Sequence, residues 1–248
     1  MIGNNMLMKT LRLLLRRETV APMFAMLFAT AVCFMLVLMR VLAAEGLYDG
    51  FRRHAGLMWN LLLAWLPLIF ALLACDEWNG GTRRNWRFIG FAAGWLLFAP
   101  NAPYIFTDLV HISVMFTKHY WVDLAMILAC ALTGLMLWFV SLYLMQSIVA
   151  KKFGDATGWG FVAAMAGLSS LGIYLGRFAR FNSWDIVTKP AEVYQGVSSW
   201  VTSAMSNKPN MAFAISFAGF LFIAYLMLYA LTHLSPTQLA SATKSKEA

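Results

Sequence analysis

The sequence predicts an all-α polytopic membrane bundle of about six transmembrane helices. Three observations lead there. Of the 248 residues, 61% are apolar and only 12% charged, a composition from which no water-exposed surface can be built. Several uncharged stretches approach or exceed the ~20 residues needed to cross a bilayer. The net charge of +8 falls between those stretches, as the basic loops of a membrane protein do.

The first element, residues 1–19, is a basic interfacial segment that mixes leucines with Lys9, Arg12, Arg16 and Arg17. Basic residues followed by an apolar run, with Val41-Leu42-Ala43 beyond, loosely imitate a signal peptide. The run from Val20 to Met39 exceeds the ~7–15 residues of a signal core, so it reads as a retained anchor. Six spans follow, at residues 20–42, 57–74, 88–106, 124–149, 159–176 and 211–232. They form one domain, 20–234, and a short polar tail occupies 235–248. Before the last span, Val193, Val197, Trp200, Val201, Ala204 and Met205 recur at helical spacing between Pro190 and Pro209. That pattern predicts an interfacial helix anchored in the outer leaflet by Trp200. Small residues at Gly90 and Gly94, and at Gly160, Ala164, Gly172 and Gly176, let helices approach closely.

Orientation follows from the Lys and Arg residues. With the N-terminus inside, eleven of the 19 are cytoplasmic: the four above, Arg83, Arg84, Arg87, Lys151, Lys152, Lys244 and Lys246. Both termini are then cytoplasmic. Cys33, Cys75 and Cys130 are odd in number and scattered, so they predict neither a disulfide framework nor a metal spacing. Nucleic acid is excluded as a partner, since no basic patch with interleaved aromatics, zinc pattern or helix-turn-helix occurs. Membrane lipids are the partner the composition implies. Protein partners and cofactors are not specified.

Two polar clusters interrupt the apolar chain. One runs from Asn101 to His111 at the end of the third span, the other from Gly176 to Asp185 at the end of the fifth. Counted from Phe88 at ~1.5 Å per residue, Pro100 lies ~18 Å into a hydrocarbon core ~30 Å thick. The third helix is therefore broken at Pro100 and Pro103 inside the membrane, where freed carbonyls need protein or water as partners. Asn101 suits that bridging role, and a satisfied kink competes with a ligand-lining break.

Asp108 and His111 share a helix face at a spacing of three, as do Arg177 with Arg180 and Asn182 with Asp185. Convergence of these faces would join Asp108, Asp123 and Asp185 to two guanidiniums and an imidazole on the outer side. Arginine forks match carboxylate or phosphate oxygens. Arg177, Arg180, Asn101, Tyr104, Asp123, Asn182 and Asp185 are thus candidate substrate-binding residues. Asp108 and His111 are the candidate catalytic acid and base. An internal ion-pair network sealing the helix ends is the competing account.

A metal is not expected: Asp108, His111 and Asp123 or Asp185 are acceptable ligands, but two arginines repel a cation. His119 is too far along the chain to chelate locally, and His54 and His233 read as interfacial residues. Ser183 lacks a nucleophile elbow. The inner halves of the spans carry no Asp, Glu, Lys, Arg or His, which favours a shallow outer site over a conducting path.

The run Trp95 to Tyr104, then Thr107-Asp108-Leu109-Val110-His111, Trp121-Val122-Asp123-Leu124 and Gly172 to Asp185 resembles a bacterial family of integral membrane proteins of unknown function. The likeness extends from about span two to span six and rests on its N-A-P-Y-x-x-T-D-L-x-H and G-R-F-x-R-x-N-S-W-D motifs. It implies a multi-pass protein of the bacterial cytoplasmic membrane and supplies no activity. Three functions stay open. One is a site that binds or processes an anionic or lipid-linked substrate; the others are a transporter using the broken third helix and a non-catalytic assembly or scaffold protein.

Overall fold

In hydrocarbon a chain must satisfy its own backbone, so the apolar stretches become helices. The computed structural model describes residues 17–43, 47–80, 86–110, 119–204 and 208–233. Its elements are α1 (Arg17–Leu42), α2 (Leu47–Leu63), α3 (Trp65–Asn79), α4 (Trp86–Phe98), α5 (Asn101–Tyr104), a 3₁₀ segment (Ile105–Leu109), α6 (Tyr120–Phe153), α7 (Asp155–Arg177), α8 (Asp185–Thr188), α9 (Pro190–Ala204) and α10 (Lys208–His233). No strand occurs among the described residues. Among the described residues, six stretches are long and apolar enough to cross a membrane: Ala21–Leu42, His54–Asn79, Trp86–Leu109, Tyr120–Phe153, Asp155–Arg177 and Met211–His233. The protein is an all-α, multi-pass membrane bundle. The N-terminal segment before residue 17, the tail after residue 233, Met205 and His111 lie outside the described residues.

The second span departs from its expected form. Helix α2 starts at Leu47, so residues 47–56, read as loop, are helical. The span is also divided at Ala64. Pro67, in the first turn of α3, withholds the donor that the Leu63 carbonyl would take and crowds it with its ring. At its other end α3 continues to Asn79 and so carries Asp76 and Glu77. The Glu77 side chain is only 11% exposed and lies 3.9 Å from Arg87 of α4. Polarity is therefore not confined to one end of the bundle, as the sequence reading had it.

Helix α6 is the hub. It spans 34 residues, about 51 Å at 1.5 Å per residue, and packs against α1, α2, α3, α5, the 3₁₀ segment and α7. Leu137, Trp138 and Leu142 on α6 are fully buried. One residue, Gly154, turns the chain into α7 with φ +94°, a left-handed conformation that glycine adopts without cost. Lipid gives packed helices no hydrophobic reward, so shape and hydrogen bonds hold them. Ser170 Oγ of α7 donates to the Ala214 carbonyl of α10 at 2.8 Å, and Trp65 Nε1 of α3 donates to Thr30 Oγ1 of α1 at 3.2 Å. Within the bundle, Tyr225 of α10 donates its hydroxyl to Gln146 Oε1 of α6.

The third span is broken where the prolines stand. Helix α4 ends at Phe98, α5 begins at Asn101, and the chain tightens into the 3₁₀ segment. Pro100 withholds a donor from the Leu96 carbonyl and Pro103 from that of Ala99. Two glycines let this segment lie between α6 and α7. A Cβ on Gly134 would stand 2.5 Å from the Ala102 carbonyl oxygen, and one on Gly172 would stand 2.6 Å from Pro100 Cγ. Helix α9 exists as expected, but Trp200 faces the bundle instead of the lipid: it is half-buried and packs on Tyr174 of α7 at a centroid distance of 6.1 Å.

Candidate functional site

The break brings the two polar clusters together at one end of the bundle. Arg177, the last residue of α7, donates Nη1–H to Asp108 Oδ1 at 3.2 Å. Asn60 of α2 donates Nδ2–H to Asp108 Oδ2 at 3.3 Å. Both ions are largely withdrawn from solvent, with side chains 17% and 13% exposed. Asp108 thus joins the third span to the second and the fifth. At the same end, Ser183 Oγ donates to Asn101 Oδ1 at 3.1 Å, tying the loop after α7 to the start of α5. Tyr104 packs its ring over Gly176, where a Cβ would stand 3.2 Å from Cε2.

Asn101 does not bridge the freed carbonyls. Its Nδ2 is shielded from solvent and has no acceptor among the described residues. Turning the amide over does not help, because Ser183 can serve either end and the other is then left alone. A buried amide donor without a partner costs about 1–3 kcal/mol, so this nitrogen calls for an acceptor that the described residues do not supply.

The other candidates separate. Asp123 is not part of a three-carboxylate centre. Its carboxylate makes a two-pronged pair with Arg40 at the end of α1, through Nε and, at 3.0 Å, through Nη2. Asp185 closes its own turn: the Asn182 N–H reaches Oδ2 at 2.7 Å, Asn182 Nδ2 reaches it at 3.4 Å, and Thr188 Oγ1 donates to Oδ1 at 3.3 Å. The Asn182 backbone N–H, opposed by desolvation and helped by Thr188, the Asn182 side chain and Lys189, holds the Asp185 carboxyl below its usual range. Arg177 and Arg180 do not share a helix face, since α7 ends at Arg177. Arg180 lies beyond it at φ +60° and is exposed, a strained conformation for a residue with a side chain. No group of three or more metal-ligating side chains is assembled among the described residues.

Asn60 and Arg40 complete this polar end, and neither was singled out for it from the sequence. Each carries a faint signal: Asn60 is the polar residue of an otherwise apolar stretch, and Arg40 sits alone at the end of the first span. Opposite charges within the same helix-end layer pair when no water competes.

Over residues 59–228 the chain matches the family described as Protein of unknown function (DUF1361). The chain belongs to the DUF1361 family. The matched region holds the whole Asp108–Arg177–Asn60 network and the Asn101–Ser183 contact, so both lie in the DUF1361 domain. Helix α1 precedes that domain and is fastened to it through Arg40 and Asp123. No curated protein and no solved structure matches the chain.

Proposed function

We propose that this DUF1361 protein lies in a bacterial cytoplasmic membrane with both termini inside, and that its polar end binds an anionic or lipid-linked substrate at the outer leaflet. The observation that carries this reading is the Asn101 amide nitrogen, which is buried at the same end of the bundle with a donor left over. A ligand oxygen would take that donor. Arg180, solvent-facing at the same end, would supply attraction for the anion. Asp108, held at both oxygens by Arg177 and Asn60, would position the site. Any proton transfer would fall to Asp108 and His111. Tyr104, Asp123, Arg177, Asn182 and Asp185 would shape the rim around them.

The test is native mass spectrometry of the protein released from nanodiscs, with metal analysis in parallel, comparing wild type with Asn101→Leu. Leucine keeps the branched outline of the side chain and removes the orphaned donor together with the Ser183 contact, so a thermal melt of the variant accompanies the comparison and shows that it is folded. The expected result is a bound anion or lipid in wild type that Asn101→Leu loses. Equal retention by a folded Asn101→Leu protein would sink the proposal, and so would an empty wild type whose melting no anion raises.

A further inference from the structure

The Asp108 network has an apolar neighbour. Phe106, two residues before Asp108, forms one wall of a groove of about 310 Å³, and Phe213, Ser216, Phe217 and Phe220 of α10 form the other. The rings touch in series: Phe106 meets Phe220 at a centroid distance of 5.0 Å, and Phe217 packs against both Phe220 and Phe213 at 5.6 Å. At the polar end of the groove Phe213 meets Phe178 edge-on at 5.2 Å. Phe178 follows Arg177 directly and stands two residues before the exposed Arg180.

Three features fit this groove to a lipid. The last span is the least covered of the six, with 11% of its window buried, so the groove opens sideways into hydrocarbon. Its lining is aromatic apart from Ser216, whose hydroxyl is exposed and has no hydrogen bond among the described residues. Ser216 lies five residues into the span from Met211, a depth of about 7.5 Å along the helix, below the headgroup layer and above the chain ends. The groove therefore carries one hydroxyl in an otherwise apolar wall, and Phe178 at its edge leads along the chain to the cation Arg180.

We infer that the groove seats one hydrocarbon chain of an anionic glycerophospholipid, with Ser216 donating to the chain's ester carbonyl and Arg180 facing the phosphate. This rests on the reading of the polar end as an anion site and commits that site to a membrane lipid rather than a free phosphate. The charge is complementary: Arg180 has no ion pair among the described residues, whereas Arg177, Arg40 and Lys189 pair with Asp108, Asp123 and Glu192.

The full chain in phosphatidylcholine nanodiscs doped with phosphatidylglycerol provides the test, with retained lipid counted by native mass spectrometry. Soluble glycerol phosphate, followed by thermal shift, probes the headgroup site alone. Ser216→Trp fills a lipid-facing groove without touching the polar network, and Ser216→Ala removes only the hydroxyl. Phosphatidylglycerol should be retained in preference to phosphatidylcholine. Ser216→Trp should lower that retention by about tenfold, the scale on which a contact in an apolar pocket discriminates, and Ser216→Ala by less. Glycerol phosphate should protect all three proteins alike. Undiminished lipid retention by Ser216→Trp, with glycerol phosphate still protective, would overturn the groove while leaving the anion site standing. Equal retention of the two lipids would overturn the anionic headgroup. Absence of both lipid retention and protection in wild type would overturn the anion site itself.

Discussion

Replacing Arg177 by alanine removes the guanidinium that pairs with the shielded Asp108 carboxylate. At the observed 3.2 Å and an effective dielectric of ~20, the gross attraction is about 5 kcal/mol. Desolvation of both ions offsets much of it, so the intact pair is worth far less than that figure. Truncating one partner removes the attraction without returning the other to water. We expect Arg177→Ala to cost about 3 kcal/mol, the low end for a broken buried pair, because Asn60 still donates to Oδ2. Asp108→Ala should cost a similar amount. The double mutant should then be no worse than either single, a coupling of about 3 kcal/mol. Reversible unfolding in bicelles measures all four proteins, and moderate salt should change the coupling little because the pair is shielded. If the single-mutant losses simply add in the double mutant, to within ~0.5 kcal/mol, the two side chains do not act as a pair and the account of this end of the bundle fails.

Three further predictions use the same preparation. Gly134→Ala and Gly172→Ala should each destabilise by about 1–3 kcal/mol, the scale of overpacking, while Gly160→Ala, with nothing within 4 Å, should be neutral or gain up to ~1 kcal/mol of helix propensity; equal unfolding midpoints would refute the close approach. Asp185 has a depressed carboxyl pKa, so its turn is held fully above the ordinary value near 4 and loosens as pH falls through the lower folded-state value. Amide protection across residues 182–189 should be flat from pH 5 to 8 and decline below about pH 4, and Asp185→Asn should lose it at neutral pH. Arg40→Asp should raise hydrogen exchange in α1, and adding Asp123→Arg should restore much of the protection; no restoration would deny the pair its role in fastening α1.

The helices were legible because their cause is local. A run such as 20–42 needs only its own length and lack of charge to become a span, and the Pro100/Pro103 break needs only two missing donors. Pro67 carried the same signal in the second span and predicts the discontinuity at Ala64 equally well. Span ends were harder to place. Asp76 and Glu77 looked like loop, yet both lie on α3, where Glu77 meets Arg87 of α4. Helical spacing misled at Arg177 with Arg180 and at Asn182 with Asp185, because α7 ends at Arg177 and α8 begins only at Asp185. Arg177 and Arg180 would share a face only if α7 continued, and it stops between them. Trp200 has the composition of an interfacial anchor, but Tyr174 offers it a ring to pack on.

The sequence by itself determined that this chain is a six-helix membrane bundle, where its third helix breaks and which residues carry its polarity. Those follow from hydropathy, proline geometry and residue type, which act over a few neighbours at most. Only the tertiary structure decided the pairings. Asp108 took Arg177 and Asn60, Asp123 took Arg40, Asp185 turned back on its own loop, and Asn101 kept a donor without an acceptor. A carboxylate can pair with any cation in its layer, so its choice depends on which helices adjoin and how close glycine lets them come. That is a property of packing in three dimensions, and no spacing along the chain encodes it.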